Sequence, residues 1–176
     1  MELIVFDNFL DDPHARRKQA LESKFESTEA TGVVFPGIAR LQTEDSRRIK
    51  PYAPHTHCDE FFRLTLNDDR LPTYIHNDAA MARWTGVLYL NEAGVGGTAF
   101  WQHKATRSIK PTLYHDIEQF QEDGTKPEKW ELRFVVEMKW NRLILFDSRL
   151  WHSPFPREGW GSSPKDGRLI QVYFMA

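Results

Sequence analysis

The spacing of apolar residues changes along the chain, and each change predicts a different element. Over residues 131–140 apolar and polar residues alternate, which is the period of a β-strand with one buried face. Residues 141–142 then predict a turn into the apolar run 143–147, so we expect a hairpin there. Further strand-like runs begin at Leu3, Phe61, Trp84, Thr98 and Arg168.

Two segments have the pattern of helices. Asp12 followed by Pro13 is typical of an N-cap and first helical position, and we expect a helix to about Phe25. Apolar residues spaced by four and three positions within 113–124 predict a second amphipathic helix inserted between strands. The polar segment 26–31 is expected to be a loop. Strands do not alternate regularly with helices, so the pattern favours a mostly β fold with flanking helices, as an antiparallel barrel or sandwich.

Composition limits the protein class. The 176 residues suffice for one domain, 1–176, and 23 Lys and Arg balance 25 Asp and Glu, so no bulk attraction to nucleic acid or to a membrane is expected. The opening residues lack a signal-peptide core, and no apolar run could span a bilayer. Because Cys58 is the single cysteine, we expect no internal disulfide and a cytoplasmic protein.

The candidate chemistry begins with His76 and Asp78, two positions apart in a segment with the pattern of a strand. Side chains alternate faces along a strand, so both should project from one face. His152 closes the apolar run that begins at Leu143, and we expect that strand to end there. Two histidines and one carboxylate on neighbouring strands form the donor set that binds one face of non-haem Fe(II) and leaves the other positions open.

An arginine, Arg168, opens the last predicted strand. A guanidinium fork can bind a carboxylate through two hydrogen bonds, while the metal chelates another part of the same ligand. A dicarboxylic keto acid meets both requirements. Arg157 competes for this role, but it lies in the loop 154–165, rich in Pro, Gly and Ser, so we favour Arg168.

These motifs resemble a known family. His76-x-Asp78, His152 and Arg168, with the runs Gly86 to Asn91 and Gly96 to Phe100, resemble the Fe(II)/2-oxoglutarate-dependent oxygenases, specifically small bacterial and phage members of the prolyl-4-hydroxylase-like branch. The resemblance implies a double-stranded β-helix, a jelly-roll or cupin-like barrel, with Fe(II) bound by His76, Asp78 and His152. It also implies that Arg168 binds the distal carboxylate of 2-oxoglutarate and that Tyr89 hydrogen-bonds the same ligand. Thr98 and Tyr74 are expected at this cofactor site.

Two positions depart from the family pattern. The gap from His152 to Arg168 is sixteen positions, longer than in many relatives, and residues 159–167 have the character of an insertion. Ile170 stands two positions beyond the arginine, where relatives often carry a small hydroxyl residue. Both departures affect the arginine assignment more than the metal ligands.

The implied reaction uses Fe(II), 2-oxoglutarate and O₂, releases succinate and CO₂, and hydroxylates an unactivated C–H bond. Desaturation and demethylation remain open. A peptide or protein side chain, or an amino-acid-like small molecule, is the expected substrate. Nucleic-acid demethylases of the superfamily carry a second arginine six positions after the first, and here that position is Phe174. The alternative is a non-catalytic barrel or a cupin-type metal-binding barrel.

The other candidates carry weaker signals. His55, His57 and Glu60 imitate a cupin ligand set, but Pro54 precedes them and no glycine-bounded strand surrounds them, so a surface loop is favoured. Cys58 is interpreted as a packing residue. Substrate contacts are predicted from three residues beside the main motifs, which are Trp101, Trp151 and Arg149.

Overall fold

The computed structural model describes residues 3–30, 33–67, 74–93, 96–111, 120, 122–157 and 159–176. Strands dominate these ranges, and the elements are β1 (Leu3–Phe6), α1 (Pro13–Glu22), β2 (Glu26–Ala30), β3 (Val33–Leu41), α2 (Asp45–Ile49), β4 (Cys58–Thr65), β5 (Trp84–Tyr89), β6 (Gly97–His103), a 3₁₀ turn (Pro127–Lys129), β7 (Trp130–Glu137), β8 (Leu143–Asp147), β9 (His152–Phe155) and β10 (Arg168–Met175).

The strands form two antiparallel sheets. The large sheet has the order β1-β8-β5-β10-β4-β3-β2, and the small sheet has the order β7-β6-β9. An isolated bridge from His76 to His152 extends the small sheet beyond β9. This architecture is the expected mostly β double-stranded β-helix, in which the two described sheets pack face to face without closing into one continuous barrel.

Six strands of the large sheet, all except β2, divide their described side chains between two cores. On β10, Ile170 and Val172 enter an inner cluster between the sheets, together with Phe100 of the small sheet. Leu169 and Tyr173 enter an outer cluster on the opposite face, where α1 covers the sheet. The alternation follows from the period-two geometry of a strand, and both faces are apolar because both are covered.

The first helix forms where the sequence predicted it, although it ends earlier, at Glu22 rather than near Phe25. The side chain of Asp12 accepts a hydrogen bond from the backbone N–H of Ala15 at 2.9 Å, and Pro13 occupies the first turn. The expected loop at 26–31 was wrong, because β2 pairs with β3 there. Most of the expected helix at 113–124 lies outside the described residues.

The expected hairpin at 131–147 was also wrong. β7 pairs with β6 in the small sheet, whereas β8 pairs with β1 and β5 in the large sheet, so the turn at 141–142 connects two sheets. Hydrophobic period predicts a strand but does not identify its partner.

The strand around His152 differs from expectation as well. β8 ends at Asp147, and His152 begins β9 in the other sheet instead of closing the same strand. The carboxylate of Asp147 accepts a hydrogen bond from the backbone N–H of Arg149 at 3.0 Å, and the backbone N–H of Leu150 donates to the Asp147 carbonyl at 2.9 Å. This local turn reverses the chain between the strands.

Candidate metal centre

Three side chains predicted as metal ligands lie together between the sheets. Their ligand atoms, one each from His76, Asp78 and His152, all lie within 4.8 Å of one another. The Nε2 atom of His152 is 3.2 Å from one Asp78 oxygen, and Nε2 of His76 is 3.6 Å from the other. Backbone hydrogen bonds of 3.0 and 2.8 Å between residues 76 and 152 fix the spacing of the two histidines.

Each histidine presents its Nε2 atom to the centre. Nδ1 of His76 lies 2.8 Å from the carbonyl of Tyr74, and Nδ1 of His152 lies 2.8 Å from the carbonyl of Leu150. A carbonyl only accepts, so each Nδ1 carries the proton. Burial, and to a lesser degree the charge of His152, lowers the pKa of His76 to about 4. His76 is therefore neutral at pH 7, with the Nε2 lone pair directed at the carboxylate.

Hydrogen bonds fix the orientation of the Asp78 carboxylate. Its Oδ2 atom accepts a hydrogen bond of 2.9 Å from the hydroxyl of Thr85, which lies 2.9 Å from the hydroxyl of Ser148. The backbone N–H of Asp78 donates to the Ser148 carbonyl at 2.7 Å. Burial alone would raise the pKa of Asp78, but the charge and hydrogen bond of His152 outweigh it and lower the pKa to about 2. Asp78 is thus an ionised carboxylate with a fixed orientation.

This donor set fits a divalent metal. A neutral His76 offers a lone pair, not a proton, to the Asp78 carboxylate at 3.6 Å, and a cation between the two relieves that unfavourable approach. Two imidazole nitrogens and one carboxylate suit non-haem Fe(II), and the backbone carbonyls that fix the imidazole tautomers resemble the outer-shell partners of metal-bound histidines.

The arginine predicted to bind a carboxylate is buried in the inner face of the large sheet. Arg168 is 3% exposed, and within the described part of the chain its Nε atom has no hydrogen-bond partner. Burial, with a further contribution from the nearby charge of Arg63, lowers the pKa of Arg168 to about 10, so the side chain is still cationic at neutral pH. Among the described residues Arg168 has no carboxylate partner. An unpaired buried cation is unfavourable, and this position fits an anionic ligand.

The remaining predicted cofactor residues lie on β5 and β6 and beside His76. The hydroxyl of Tyr89 is 2.8 Å from that of Thr98, a contact that joins β5 of the large sheet to β6 of the small sheet. Tyr74 is half-buried, and its ring centroid is 5.1 Å from that of His76. The competitor Arg157 is half-buried in the bend that follows β9.

The predicted substrate residues are not gathered at the centre. Trp151 is 3% exposed within an aromatic cluster that includes Trp130, so it presents little surface for stacking. Trp101 is half-buried beside the same cluster, and its indole N–H donates to the hydroxyl of Ser153 at 3.0 Å. Arg149 is largely exposed and pairs with Asp147 at 2.5 Å. Their roles in substrate binding stay predictions.

Sequence reasoning missed three residues near the site. Thr85 and Ser148 are buried hydroxyls behind Asp78, and Arg63 is an inner-face residue of β4 that sits opposite Ile170. No short motif marks them. The alternation of β4, in which Phe61 and Arg63 share a face, was the one available signal for Arg63.

The side chains of the cupin-like alternative, His55, His57 and Glu60, do not form a cluster that could share an ion. Nδ1 of His55 donates to the Ala53 carbonyl at 2.7 Å, and His57 lies 3.1 Å from Asp59 at the surface. Across the described ranges, the group formed by His76, Asp78 and His152 is the only one of three or more such side chains close enough to share an ion. Burial raises the pKa of the Cys58 thiol to about 12, in keeping with a packing role.

Comparison by sequence gives a family. Residues 68–175, more than half of the chain, match the family of unknown function DUF6445. The chain belongs to this family. The matched residues include His76, Asp78, His152 and Arg168, so the candidate centre lies within the matched part of the chain. No curated protein matches the chain.

Comparison by structure agrees with the fold. Non-haem α-ketoglutarate-dependent epimerase SnoN from nogalamycin biosynthesis aligns with a TM-score of 0.59 and 15% identity, over 99% of this chain and 79% of SnoN. HygX from Streptomyces hygroscopicus, solved with nickel and 2-oxoglutarate, gives 0.54 and 12%, over 100% and 84%. A Pseudomonas putida prolyl-4-hydroxylase gives 0.55 and 16%, over 99% and 93%. At these identities the likeness establishes a shared fold.

None of the helices in the described ranges has the length and apolar character needed to cross a membrane.

Proposed function

We propose that this DUF6445 member is an Fe(II)- and 2-oxoglutarate-dependent dioxygenase that hydroxylates an unactivated C–H bond. The observation that carries the proposal is the convergence of His76, Asp78 and His152 within 4.8 Å, with neutral His76 facing an ionised carboxylate. The shared fold with SnoN and HygX supports it, because SnoN depends on α-ketoglutarate and HygX was solved with 2-oxoglutarate bound.

When bound, ferrous iron would supply sites at which the keto acid and O₂ react to give succinate, CO₂ and the oxidant for the substrate. The protein's part is binding and orientation. His76, Asp78 and His152 would hold the metal, and Thr85 keeps the Asp78 carboxylate turned toward it. Arg168 would bind the distal carboxylate of 2-oxoglutarate as a charge-assisted pair.

The polar residues that join the sheets would complete the keto-acid pocket. Tyr89 interacts electrostatically with Arg168, and its hydroxyl is fixed by the hydrogen bond with Thr98. Tyr74 would border the metal side through its contact with His76. The apolar inner cluster around Phe146, whose ring is 4.7 Å from that of His152, would limit water at the centre.

We propose that the substrate is a peptide or protein side chain or an amino-acid-like small molecule, and that it binds near Trp101 and Arg149. We also propose that the protein is cytoplasmic. Hydroxylation is the proposed outcome, with desaturation and demethylation as variants. Structural neighbours include an epimerase and a carbocyclase, so the fold accommodates several outcomes of the same cofactor set.

The test is anaerobic addition of Fe(II) and 2-oxoglutarate to the metal-free protein. We expect a visible metal-to-ligand charge-transfer band, and succinate after O₂ is admitted. His152→Ala should abolish both, because it removes one of three ligands, while His55→Ala serves as a matched control on a histidine outside the cluster. A band that survives His152→Ala rules out the site. Loss in His55→Ala instead would favour the cupin-type alternative, and a band without succinate would favour a binding protein.

A further inference from the structure

The inner face of the large sheet carries a second arginine beside Arg168. β4 pairs with β10 in a register that places Thr65 opposite Arg168 and Arg63 opposite Ile170. Arg63 and Arg168 are therefore diagonal neighbours on adjacent strands, a relation in which long side chains reach one another.

Both arginines point toward the space between the sheets. Phe61 shares the face of Arg63 and belongs to the inner cluster, and so do both cross-strand neighbours of Arg63, Ile38 and Ile170. Arg63 is half-buried, whereas Arg168 is 3% exposed with its Nε atom unsatisfied.

The charge of Arg63 reaches its diagonal neighbour, since it lowers the pKa of Arg168. Guanidinium groups on two adjacent strands can donate to one carboxylate from two sides, as charge-assisted hydrogen bonds.

We propose that Arg63 and Arg168 together form a two-arginine site for the distal carboxylate of a dicarboxylate co-substrate. This rests on the proposed function, which assigned that carboxylate to Arg168 alone. The pair also offers a reason why the pocket can lack the small hydroxyl residue at position 170, since a second guanidinium from the adjacent strand supplies donors at Ile170.

The experiment measures dicarboxylate binding in the metal-free protein, so that it does not depend on the metal centre. Succinate and 2-oxoglutarate are titrated at constant ionic strength by calorimetry and thermal shift, with butyrate as the monocarboxylate comparison. We expect the wild type to bind both dicarboxylates more tightly than butyrate. Arg63→Met should weaken dicarboxylate binding about tenfold or more, and Arg63→Lys should restore part of it.

Arg133→Met is the matched control, since Arg133 is an exposed arginine on β7 of the other sheet. It should leave dicarboxylate binding unchanged. Unchanged binding in Arg63→Met, with Arg168→Met weakened, would overturn the two-arginine site while leaving the proposed function standing. Cobalt binding in the same variants separates the two questions: a wild type that binds succinate through both arginines but takes no metal would support this site and contradict the oxygenase proposal.

Discussion

The outer face of the large sheet and the space between the two sheets both bury charged groups, but among the described residues the pairing is extensive only on the outer face. On the outer face, Arg16 donates to Asp45 at 2.6 Å and to Gln171 at 2.5 Å. The Tyr173 hydroxyl donates to Asp45 at 2.8 Å, and Gln171 donates to Glu60 at 3.0 Å. This outer-face network links α1, α2 and the sheet through groups that satisfy one another.

The groups between the two sheets differ. On the inner face of the large sheet, Arg168 is buried without a carboxylate partner among the described residues, and beside the small sheet His76 faces Asp78 with a lone pair. Buried polar groups in folded proteins are nearly always paired. The outer-face network is therefore suited to stabilising the fold, whereas the described groups between the sheets fit the metal and the anion of the proposed function.

Removal of Asp45 should have the largest effect on stability. Asp45→Ala leaves the Arg16 side chain, which is 14% exposed, without its carboxylate, and we expect a loss of about 3 kcal/mol in the free energy of unfolding. Urea denaturation of the metal-free protein measures it. Asp11→Ala, which breaks an exposed pair with Arg48, is the control and should change stability by less than about 1 kcal/mol. A small effect of Asp45→Ala would mean that the outer-face network is not structural.

Removal of the Thr85 hydroxyl should act on the metal and not on the fold. Thr85→Val keeps the shape but frees one Asp78 oxygen, and we expect metal affinity to fall about 10- to 100-fold. Cobalt titration followed by visible absorbance gives the affinity, and the band shape reports the changed ligand geometry. Thr85→Ser retains the hydroxyl and should bind nearly as wild type. Equal affinity in the valine and serine variants would contradict the positioning role.

Removal of Arg168, which has no carboxylate partner among the described residues, should stabilise the ligand-free protein. Arg168→Met replaces a buried cation by an apolar chain of similar length, and we expect a gain of about 1 kcal/mol in the free energy of unfolding. The same denaturation assay measures it. Asp45→Ala and Arg168→Met are thus expected to change the free energy of unfolding in opposite directions. A loss of several kcal/mol in Arg168→Met would show that Arg168 is already paired.

The smallest expected effect concerns a surface pair. Hydrogen bonding from Arg142, and then from Lys139, lowers the pKa of Asp7 from 3.8 to about 2. The carboxylate therefore adds stability above about pH 4, and this contribution is lost as the pH falls toward 2. Asp7→Asn should have a slightly lower melting temperature than wild type at pH 6, and the difference should shrink over that acid range. A difference independent of pH would exclude the ion pair as its cause.

The sequence predicted several elements correctly because their causes are local. Asp12 and Pro13 specify the start of α1 through the cap itself, and Trp84 to Leu90 specifies a strand through its composition. The helix expected at 113–124 is largely outside the described residues. Errors arose where a partner was needed, as in the strand at 26–30, whose polar composition gave no sign of its pairing with β3.

Some residues of the candidate site could be predicted from the sequence, and others could be found only in the tertiary structure. His76, Asp78, His152 and Arg168 are recognisable by residue type and order, since metal and carboxylate binding require those side chains. The tertiary structure decided that His152 begins a new strand, that Thr85 and Ser148 lie behind Asp78, and that Arg63 stands beside Arg168. Sequence patterns report how a residue relates to its own element. The pairing of distant strands, which sets these contacts, depends on the packing of the whole chain.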